Sequence, residues 1–340
     1  MHRGAIQRSR CRLAVLFVAL LSACSKEVNV APAVSCTPGL YACEGDVLLV
    51  CSTELGDWQE VETCAPGGCV PGASACAKDS GTGVEETGLP DLPDCESCGA
   101  LEQCFKNQVC VARQVKMPAG YSIDATEVTR RQYEDWLKLG PAVSGQPAYC
   151  AWNNSYVPDP DCMGNWHVCD GSGCGAHPQV CVDWCDANAY CTYVGKRLCG
   201  DTGSGPASFE NLSDPTHNTW FDACSSGGTR DYPYGDSYDQ NACNAYDKSP
   251  TGCGSGSCTS SGVASLPACQ ADGAYAGVFD MSGNAMEWAD ACAGTDGAQD
   301  SCRQKGGSFY SYANTARCAG SNAAARSAFT VHLGFRCCSL

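Results

Sequence analysis

The sequence predicts an irregular fold of helices, strands and long loops that disulfides hold together. Three observations support this prediction. The chain of 340 residues contains 30 cysteines. Apolar residues follow a helical period in one clear stretch and mark short strands elsewhere. Insertions rich in glycine, serine and asparagine separate these stretches and favour loops.

Residues 1–23 are typical of a bacterial export signal. Arginines precede an apolar run at residues 13–20, and the motif Leu21-Ser22-Ala23-Cys24 follows. This pattern predicts cleavage before Cys24 and lipidation of that cysteine. The run is shorter than the roughly 20 residues that span a bilayer, although an uncleaved anchor is the alternative. Ser25 favours the outer membrane, by resemblance to the sorting pattern of lipoproteins.

The charge of the chain limits its partners. Removal of the signal, with its four arginines, moves the formal net charge from −16 to −20. Phosphate backbones repel so acidic a protein, so we expect no nucleic-acid partner. No basic helix indicates lipid binding by the folded body, so the predicted membrane contact is through the acyl chains on Cys24.

Cysteine usage predicts disulfides rather than metal sites. Without Cys11 and Cys24, 28 cysteines remain, an even number in an exported chain. Residues 36–76 contain six of them and two predicted strands, at residues 47–50 and around Trp58. A segment this short cannot build a sufficient apolar core, so we expect a small β module with three disulfides. A zinc ribbon is the alternative.

Short segments precede and follow this module. Residues 24–35 form a tether, and the acidic, Gly- and Pro-rich residues 77–94 form a linker. Residues 95–115 contain four cysteines and predict a second small disulfide-rich segment. The spacing Cys95-x-x-Cys98 also occurs in redox pairs, but no βαβ pattern surrounds it.

The large domain is predicted at residues 116–340. Helical periodicity places Tyr133, Trp136 and Leu137 on one face of a first helix that begins near Thr129, and residues 181–193 predict a second helix.

Three segments of this domain are predicted to be loops: residues 145–176, 200–219 and 249–269. The first contains aromatic and polar side chains that line a ligand groove or, alternatively, fill a disulfide-stapled loop: Tyr149, Trp152, Asn153, Asn154, Tyr156, Asp159, Asp161 and Trp166.

Residues 277–290 carry the most informative local pattern. They predict a strand, a tight glycine turn and a second strand, with Asp280 and Glu287 on either side of the turn. Two carboxylates and the carbonyls of one bend suit calcium, which takes six to eight oxygen ligands. A solvated hairpin with a buried tryptophan is the alternative.

This stretch resembles the G-hydrophobic-D/N-x-x-G-N-x-x-E-W signature of the formylglycine-generating-enzyme, or sulfatase-modifying-factor, family. Further motifs match that family in the same order over roughly residues 116–338: Asp124-Ala125-Thr126-Glu127-Val128-Thr129, His177-Pro178, Val182-Asp183-Trp184-Cys185-Asp186-Ala187, Gly195-Lys196-Arg197-Leu198, Tyr232-Pro233-Tyr234-Gly235-Asp236, Gly306-Gly307-Ser308, Arg317-Cys318-Ala319 and Gly334-Phe335-Arg336-Cys337. The resemblance implies an α+β domain with a C-type-lectin-like fold.

The resemblance also implies an activity that this chain does not support. Family enzymes oxidise a cysteine of a sulfatase to formylglycine with two cysteines, five residues apart, that bind reduced copper. The corresponding interval here is residues 309–316, which contains no cysteine and has Ser311 at the distance of the first thiol. A hydroxyl without an adjacent base does not replace a copper thiolate, so copper is not expected.

Structural features of the family carry over more completely. The resemblance implies the disulfides Cys191–Cys337 and Cys224–Cys318 and leaves Cys338 in need of another partner. It implies a calcium site formed by Asp280, Gly283, Ala285 and Glu287. A second calcium site would begin with Asn244 and Ala245, but its later aspartate has no clear counterpart in this chain.

The sequence therefore predicts a cell-envelope lipoprotein whose large domain is a binding or scaffold module, stabilised by calcium and disulfides. Its expected ligand is a protein or a glycan at the cell surface. One alternative is a divergent oxidase of the same family that acts on protein cysteine. In another alternative, residues 36–110 are the functional interaction module and the large domain serves as a spacer.

Overall fold

The computed structural model describes Cys95 and residues 98–106, 108–248, 250–254 and 256–340, together with the backbone of three strands between residues 41 and 63. The chain divides into two compact units, Met1–Glu86 and Thr87–Leu340. In the first unit, an antiparallel sheet contains β1 (Tyr41–Glu44), β2 (Val47–Cys51) and β3 (Trp58–Thr63), in that order. These strands confirm the two predicted there. The predicted signal, lipidation site, tether, linker and module disulfides lie outside the described residues.

The second unit contains both helices and strands, which confirms the α+β prediction. Its helices are α1 (Arg130–Lys138), α2 (Pro160–Met163), α3 (Trp184–Tyr193) and α4 (Thr219–Ser225). Its strands are β4 (Glu102–Phe105), β5 (Val109–Ala112), β6 (Gln114–Lys116), β7 (Ser122–Asp124), β8 (Arg197–Leu198), β9 (Met286–Cys292), β10 (Ser301–Lys305), β11 (Ser321–Ala325), β12 (Leu333–Phe335) and β13 (Cys337–Ser339).

Within the described part of this unit, the strands form two sheets and one hairpin. The first sheet has the order β11-β10-β9-β12, in which β12 runs parallel to β9 and the other pairs are antiparallel. The second sheet has the antiparallel order β6-β7-β13-β8, and β4 pairs with β5 as a hairpin. Because β12 and β13 are separated only by Arg336, this residue lies where the chain passes from one sheet to the other.

The main core is aromatic and lies between the helices and the first sheet. Tyr133 and Trp136 of α1 contact Tyr190 of α3, and Tyr190 contacts Phe335 of β12, with ring centroids 5.4–5.7 Å apart in these contacts. Offset and edge-to-face pairs of this kind add to the free energy gained by apolar burial. Val109 of the β4–β5 hairpin is buried in the same core, so the hairpin packs with this domain.

Helix α1 forms where the periodicity predicts it. Thr129 caps its first turn, since its hydroxyl accepts from the Gln132 N–H and the Gln132 side chain accepts from the Thr129 N–H. This reciprocal arrangement satisfies two backbone donors that a helix start leaves unpaired. Tyr133 and Trp136 are buried on the predicted face.

Helix α3 begins three residues later than the predicted span of 181–193. Cys181 has φ 63°, in the left-handed region, and so does not start a right-handed helix. Asp183 is the N-cap instead, and its carboxylate accepts from the Asp186 N–H at 2.9 Å. The predicted end at Tyr193 is confirmed.

Only the second half of the predicted hairpin at residues 277–290 is a strand. Met286 begins β9, whereas the first half contributes one isolated bridge, between Phe279 and Gln270. Asp280 has φ 58°, which interrupts extended pairing at that point. The glycine at the turn is required, because a Cβ on Gly283 would lie 2.3 Å from the Asn244 carbonyl oxygen.

Disulfides join segments throughout this unit, and every cysteine from Cys95 onward is bonded. The structure contains Cys191–Cys337 and Cys224–Cys318, and Cys338 is bonded to Cys199. The other bonds are Cys95–Cys104, Cys98–Cys110, Cys150–Cys185, Cys162–Cys181, Cys169–Cys174, Cys243–Cys269, Cys253–Cys258 and Cys292–Cys302. This density is typical of proteins exported to an oxidising compartment. Among the described residues, no helix is both long and apolar enough to cross a membrane.

Candidate ligand-binding site

The loop that follows β10 forms the floor of a cavity. Gly307 has φ 69°, and a Cβ there would lie 2.8 Å from the Ser311 hydroxyl oxygen, so only glycine fits this bend. The Ser311 hydroxyl accepts from the Ser308 N–H at 2.9 Å, and the Ser311 N–H donates to the Ser308 carbonyl at 2.8 Å. These bonds fold residues 308–311 into a tight turn that presents its side chains to the cavity.

The cavity has a volume of about 220 Å³ and an uncharged lining. Its walls come from β9, β10, β11, the loop after β10 and the segment before β12. The lining residues are Met286, Gln304, Gly307, Ser308, Tyr310, Ser311, Thr315, Ser321, Asn322 and His332. Hydroxyl and amide groups at this density offer hydrogen bonds, but no lining side chain is acidic or, apart from the imidazole, basic.

His332 is the one titratable imidazole on the wall. Burial lowers the pKa of His332, and the nearby His167 lowers that pKa further, so the ring is neutral at pH 7. Its Nδ1 is buried and has no hydrogen-bond partner among the described residues. A buried nitrogen without a partner costs free energy.

A row of rings leads from the cavity to the surface. His332 lies 5.2 Å from Tyr310 between ring centroids, Tyr310 lies 5.0 Å from His167, and His167 lies 3.4 Å from Trp166. We call these four residues the aromatic row. His167 is held in place by its Nδ1, which lies 2.8 Å from the Cys258 carbonyl oxygen. Trp166, at the outer end, is 74 % exposed.

The insertion at residues 145–176 contributes two side chains to this row, Trp166 and His167. Tyr149 packs against Trp184, and Tyr156 is buried against Trp136, so both belong to the core. Asn153 donates to the Asp186 carboxylate at 2.8 Å. Most of the insertion is therefore structural filling, and Trp166 is the exposed aromatic residue that remains for a ligand.

The loop that corresponds to the copper-binding interval of the family contains Ser311 in the cavity floor. Phe309 and Ala316 are fully buried on either side of it. Cys318, the nearest cysteine in sequence, is bonded to Cys224. The described part of the chain therefore presents no thiol to this cavity.

Glu287 of the predicted calcium set is bound by other side chains. The Arg336 guanidinium donates to both of its carboxylate oxygens, at 2.7 and 2.8 Å, and the Trp220 indole N–H donates at 2.7 Å. All three side chains are fully buried. These three charge-assisted and indole bonds fix the carboxylate in place, and the role of Glu287 as a calcium ligand stays a prediction.

Asp280 retains more of the predicted role. Its carboxylate accepts from the Ala264 N–H at 2.6 Å, and burial raises the pKa of Asp280 to about 6. Glu127 is close enough to interact, and burial together with the Asp280 charge raises the pKa of Glu127 well above its usual value. Gly283 and Ala285 lie in the turn beside them. Within the described residues, no three acidic, histidine or cysteine side chains are grouped as a metal site, and calcium binding stays a prediction.

The second predicted calcium set is held in internal hydrogen bonds. The Asn244 side-chain oxygen accepts from the Thr251 hydroxyl at 2.7 Å, and its amide nitrogen donates to the Thr259 carbonyl at 3.1 Å. The Ala245 carbonyl accepts from the Lys248 N–H at 3.1 Å. These bonds anchor the loop at 249–269, and calcium binding by this set stays a prediction.

Sequence reasoning did not identify several cavity residues. Gln304, Asn322 and His332 come from three separate segments, and none belongs to a motif that marks a ligand site. Only the pairing of β10 with β9 and β11, and the parallel approach of β12, bring them together. Periodicity and spacing carry no signal for such an assembly.

Comparisons with known proteins identify the family of this chain. Among solved structures, the chain is similar to CarF, with 19 % identity and a TM-score of 0.40 over 64 % of this chain and 86 % of that chain. It is similar to PvdO from Pseudomonas aeruginosa, with 23 % identity and a TM-score of 0.43 over 68 % of this chain and 82 % of that chain. It is also similar to variable protein 1 of Treponema denticola, with 16 % identity and a TM-score of 0.39 over 68 % of this chain and 87 % of that chain. No curated protein matches the chain significantly. The family model described as the sulfatase-modifying factor enzyme 1-like domain matches residues 97–339. The chain therefore belongs to the sulfatase-modifying-factor family.

Proposed function

We propose that this protein is an envelope lipoprotein whose sulfatase-modifying-factor domain binds a ligand and does not generate formylglycine. The observation that supports the proposal is the content of the cavity floor. Ser311 occupies the loop where the family resemblance implies a copper-binding thiol, and the cysteines of the domain are all in disulfides. Copper(I) prefers soft thiolate ligands, and hydroxyl oxygens are hard.

The cavity retains what a binding site needs. It is concave and preformed, and the polar groups of Gln304, Ser308 and Asn322 line one space together with His332. Disulfides on the surrounding loops fix this geometry without a metal. Fixed geometry favours binding, because less conformational entropy is lost when the ligand arrives.

The deciding experiment is an oxidase assay on the purified, oxidised full chain. A Cys-x-Pro-x-Arg peptide is incubated with the protein, copper(I) and oxygen, and peptide mass is followed. We expect no peptide oxidation above a control without protein, and no free thiol in a thiol count under denaturing conditions. Peptide turnover above the control would overturn the proposal and favour the divergent oxidase.

We further propose that acyl chains on Cys24 attach this module to the outer membrane. The motif at residues 21–24 and Ser25 support this attachment. The folded domain would then face the compartment in which its disulfides form. Its partner is a ligand at the cell surface, and the acidic net charge disfavours nucleic acid.

A further inference from the structure

We propose that the cavity beside Ser311 binds a neutral carbohydrate: one sugar ring enters the cavity, and the rest of the glycan lies along the aromatic row. This inference rests on the proposed binding function and names the chemical class of the ligand. It is supported by the charge, size, walls and rim of the cavity.

The uncharged lining favours a neutral ligand. A carboxylate, phosphate or ammonium group would lose its water in this cavity without meeting an opposite charge, which is costly. Sugar hydroxyls each donate and accept hydrogen bonds. The amides of Gln304 and Asn322 and the hydroxyl of Ser308 do the same, so these groups can pair with several hydroxyls of one ring.

The size of the cavity favours a single ring. Its volume of about 220 Å³ is below the range of about 300–1,000 Å³ that is typical of pockets for drug-sized ligands. A longer ligand must therefore continue outside the cavity. The aromatic row provides the exit, because it runs from His332 in the wall to the exposed Trp166.

Aromatic side chains near the cavity suit the apolar face of a sugar ring. One face of a pyranose ring carries mostly C–H groups, which gain free energy when they are buried against an aromatic ring. Tyr310 is half-buried at the cavity, so part of its ring remains available. Tyr312, on the same loop, is 59 % exposed and lies 4.2 Å from Tyr246 between ring centroids. A half-buried ring and an exposed ring therefore flank Ser311 in the sequence.

The rim is fixed before a ligand arrives. The segment that carries Trp166 is closed by the disulfide Cys162–Cys181. The bond between His167 and the Cys258 carbonyl joins this segment to a second loop, closed by Cys253–Cys258. A single exposed tryptophan on a mobile loop would be weak evidence, but a ring on a loop that a disulfide closes and a neighbouring hydrogen bond holds is preorganised.

A peptide is the competing ligand class. Strand β11 is at the edge of its described sheet, and edge strands can pair with an extended peptide. Such a peptide would need pockets for alternate side chains along the strand, whereas the structure offers one small polar cavity at the start of β11. The observations favour the sugar, and the experiment includes the peptide.

The experiment uses the full mature chain in a detergent without a sugar headgroup. Saturation-transfer NMR is recorded with the methyl glycosides of glucose, galactose, mannose and N-acetylglucosamine, and affinities are measured by calorimetry. We expect at least one glycoside to bind with a dissociation constant at or below about 10 mM. Tyr310→Ala and Asn322→Ala should each weaken binding by roughly tenfold or more. Trp166→Ala should weaken a tri- or tetrasaccharide more than the monosaccharide.

Tyr193→Ala is the matched control, because Tyr193 is also half-buried and aromatic but contributes nothing to this cavity. It should leave glycoside binding unchanged, and circular dichroism should show all four variants folded. Absence of binding by every glycoside would overturn the inference, as would binding that Tyr310→Ala leaves intact. Binding of an extended peptide in place of sugars would also overturn the carbohydrate inference, while the proposed binding function would stand. Turnover in the oxidase assay would overturn both the carbohydrate inference and the proposed binding function.

Discussion

Lys305 is a basic residue whose side chain is fully buried. It belongs to β10, its ammonium nitrogen is fully buried, and that atom has no hydrogen-bond partner among the described residues. Its nearest compensation is aromatic: the nitrogen lies 5.3 Å from the Trp220 ring centroid and 5.7 Å from that of Phe221. Burial, with a smaller effect of the Arg303 charge, lowers the pKa of Lys305 to about 7.

This lowered pKa predicts a pH-dependent stability. The unfolded chain binds a proton at Lys305 up to about pH 10, whereas the folded chain loses it near pH 7. Between these values the unfolded state holds more protons, so this group makes the free energy of unfolding rise with pH. Lys305→Met should therefore stabilise the domain by roughly 1–3 kcal/mol at pH 6 and by less at pH 9. Urea unfolding with intact disulfides measures both values.

Lys116→Met is the control for that comparison. Lys116 is exposed on β6, so its replacement should change stability little and equally at both pH values. If Lys305→Met shifted the free energy of unfolding by the same amount at pH 6 and pH 9, the lowered pKa of Lys305 would be contradicted.

At the scale of elements, the turn before β9 carries the calcium prediction. The predicted set is Asp280, Glu287 and the carbonyls of Gly283 and Ala285, and of its two carboxylates Glu287 is also bound by Arg336. An ion that binds only the folded chain raises its melting temperature. We expect millimolar calcium to raise the melting temperature relative to EGTA, and Asp280→Gly to abolish that rise.

Glycine is the informative replacement at this position. Asp280 has φ 58°, which glycine adopts without strain, so the variant removes the carboxylate and keeps the turn. Asp296→Gly, at an exposed position, controls for the loss of one negative charge. An equal calcium effect on both variants, or none on the natural chain, would contradict a site at this turn.

The elements also show how far the sequence predicts this fold. Helix α1 was predictable because its cap and its apolar face are local in the sequence. The start of α3 and the absence of a strand before Asp280 were not predictable. Both depend on a left-handed backbone conformation at a residue that is not glycine, Cys181 in one case and Asp280 in the other. The cavity was predictable only at Ser311, through the family resemblance, because His332 and Asn322 reach it through sheet pairing.

At the scale of the whole molecule, attachment to a membrane is the main prediction. Cys24→Ser should move the protein from the membrane fraction to the soluble fraction of the envelope, because a serine accepts no thioether-linked lipid. Mass spectrometry of the natural N-terminal peptide should show acyl chains on Cys24. Cys11→Ser is the control, since Cys11 lies in the predicted signal and should not affect attachment. Soluble natural protein, or membrane-bound Cys24→Ser, would contradict the anchor.

Strand β13 has a consequence for how the protein is made. It pairs with β7 and with β8, and its two adjacent cysteines close loops of 146 and 139 residues to Cys191 and Cys199. Until residues 337–339 have been exported, β7 and β8 lack the strand between them, and cysteines already exported can only pair with one another. Correct maturation therefore calls for a thiol–disulfide isomerase that undoes early bonds, and a chain truncated before Cys337 should accumulate as mispaired, protease-sensitive forms.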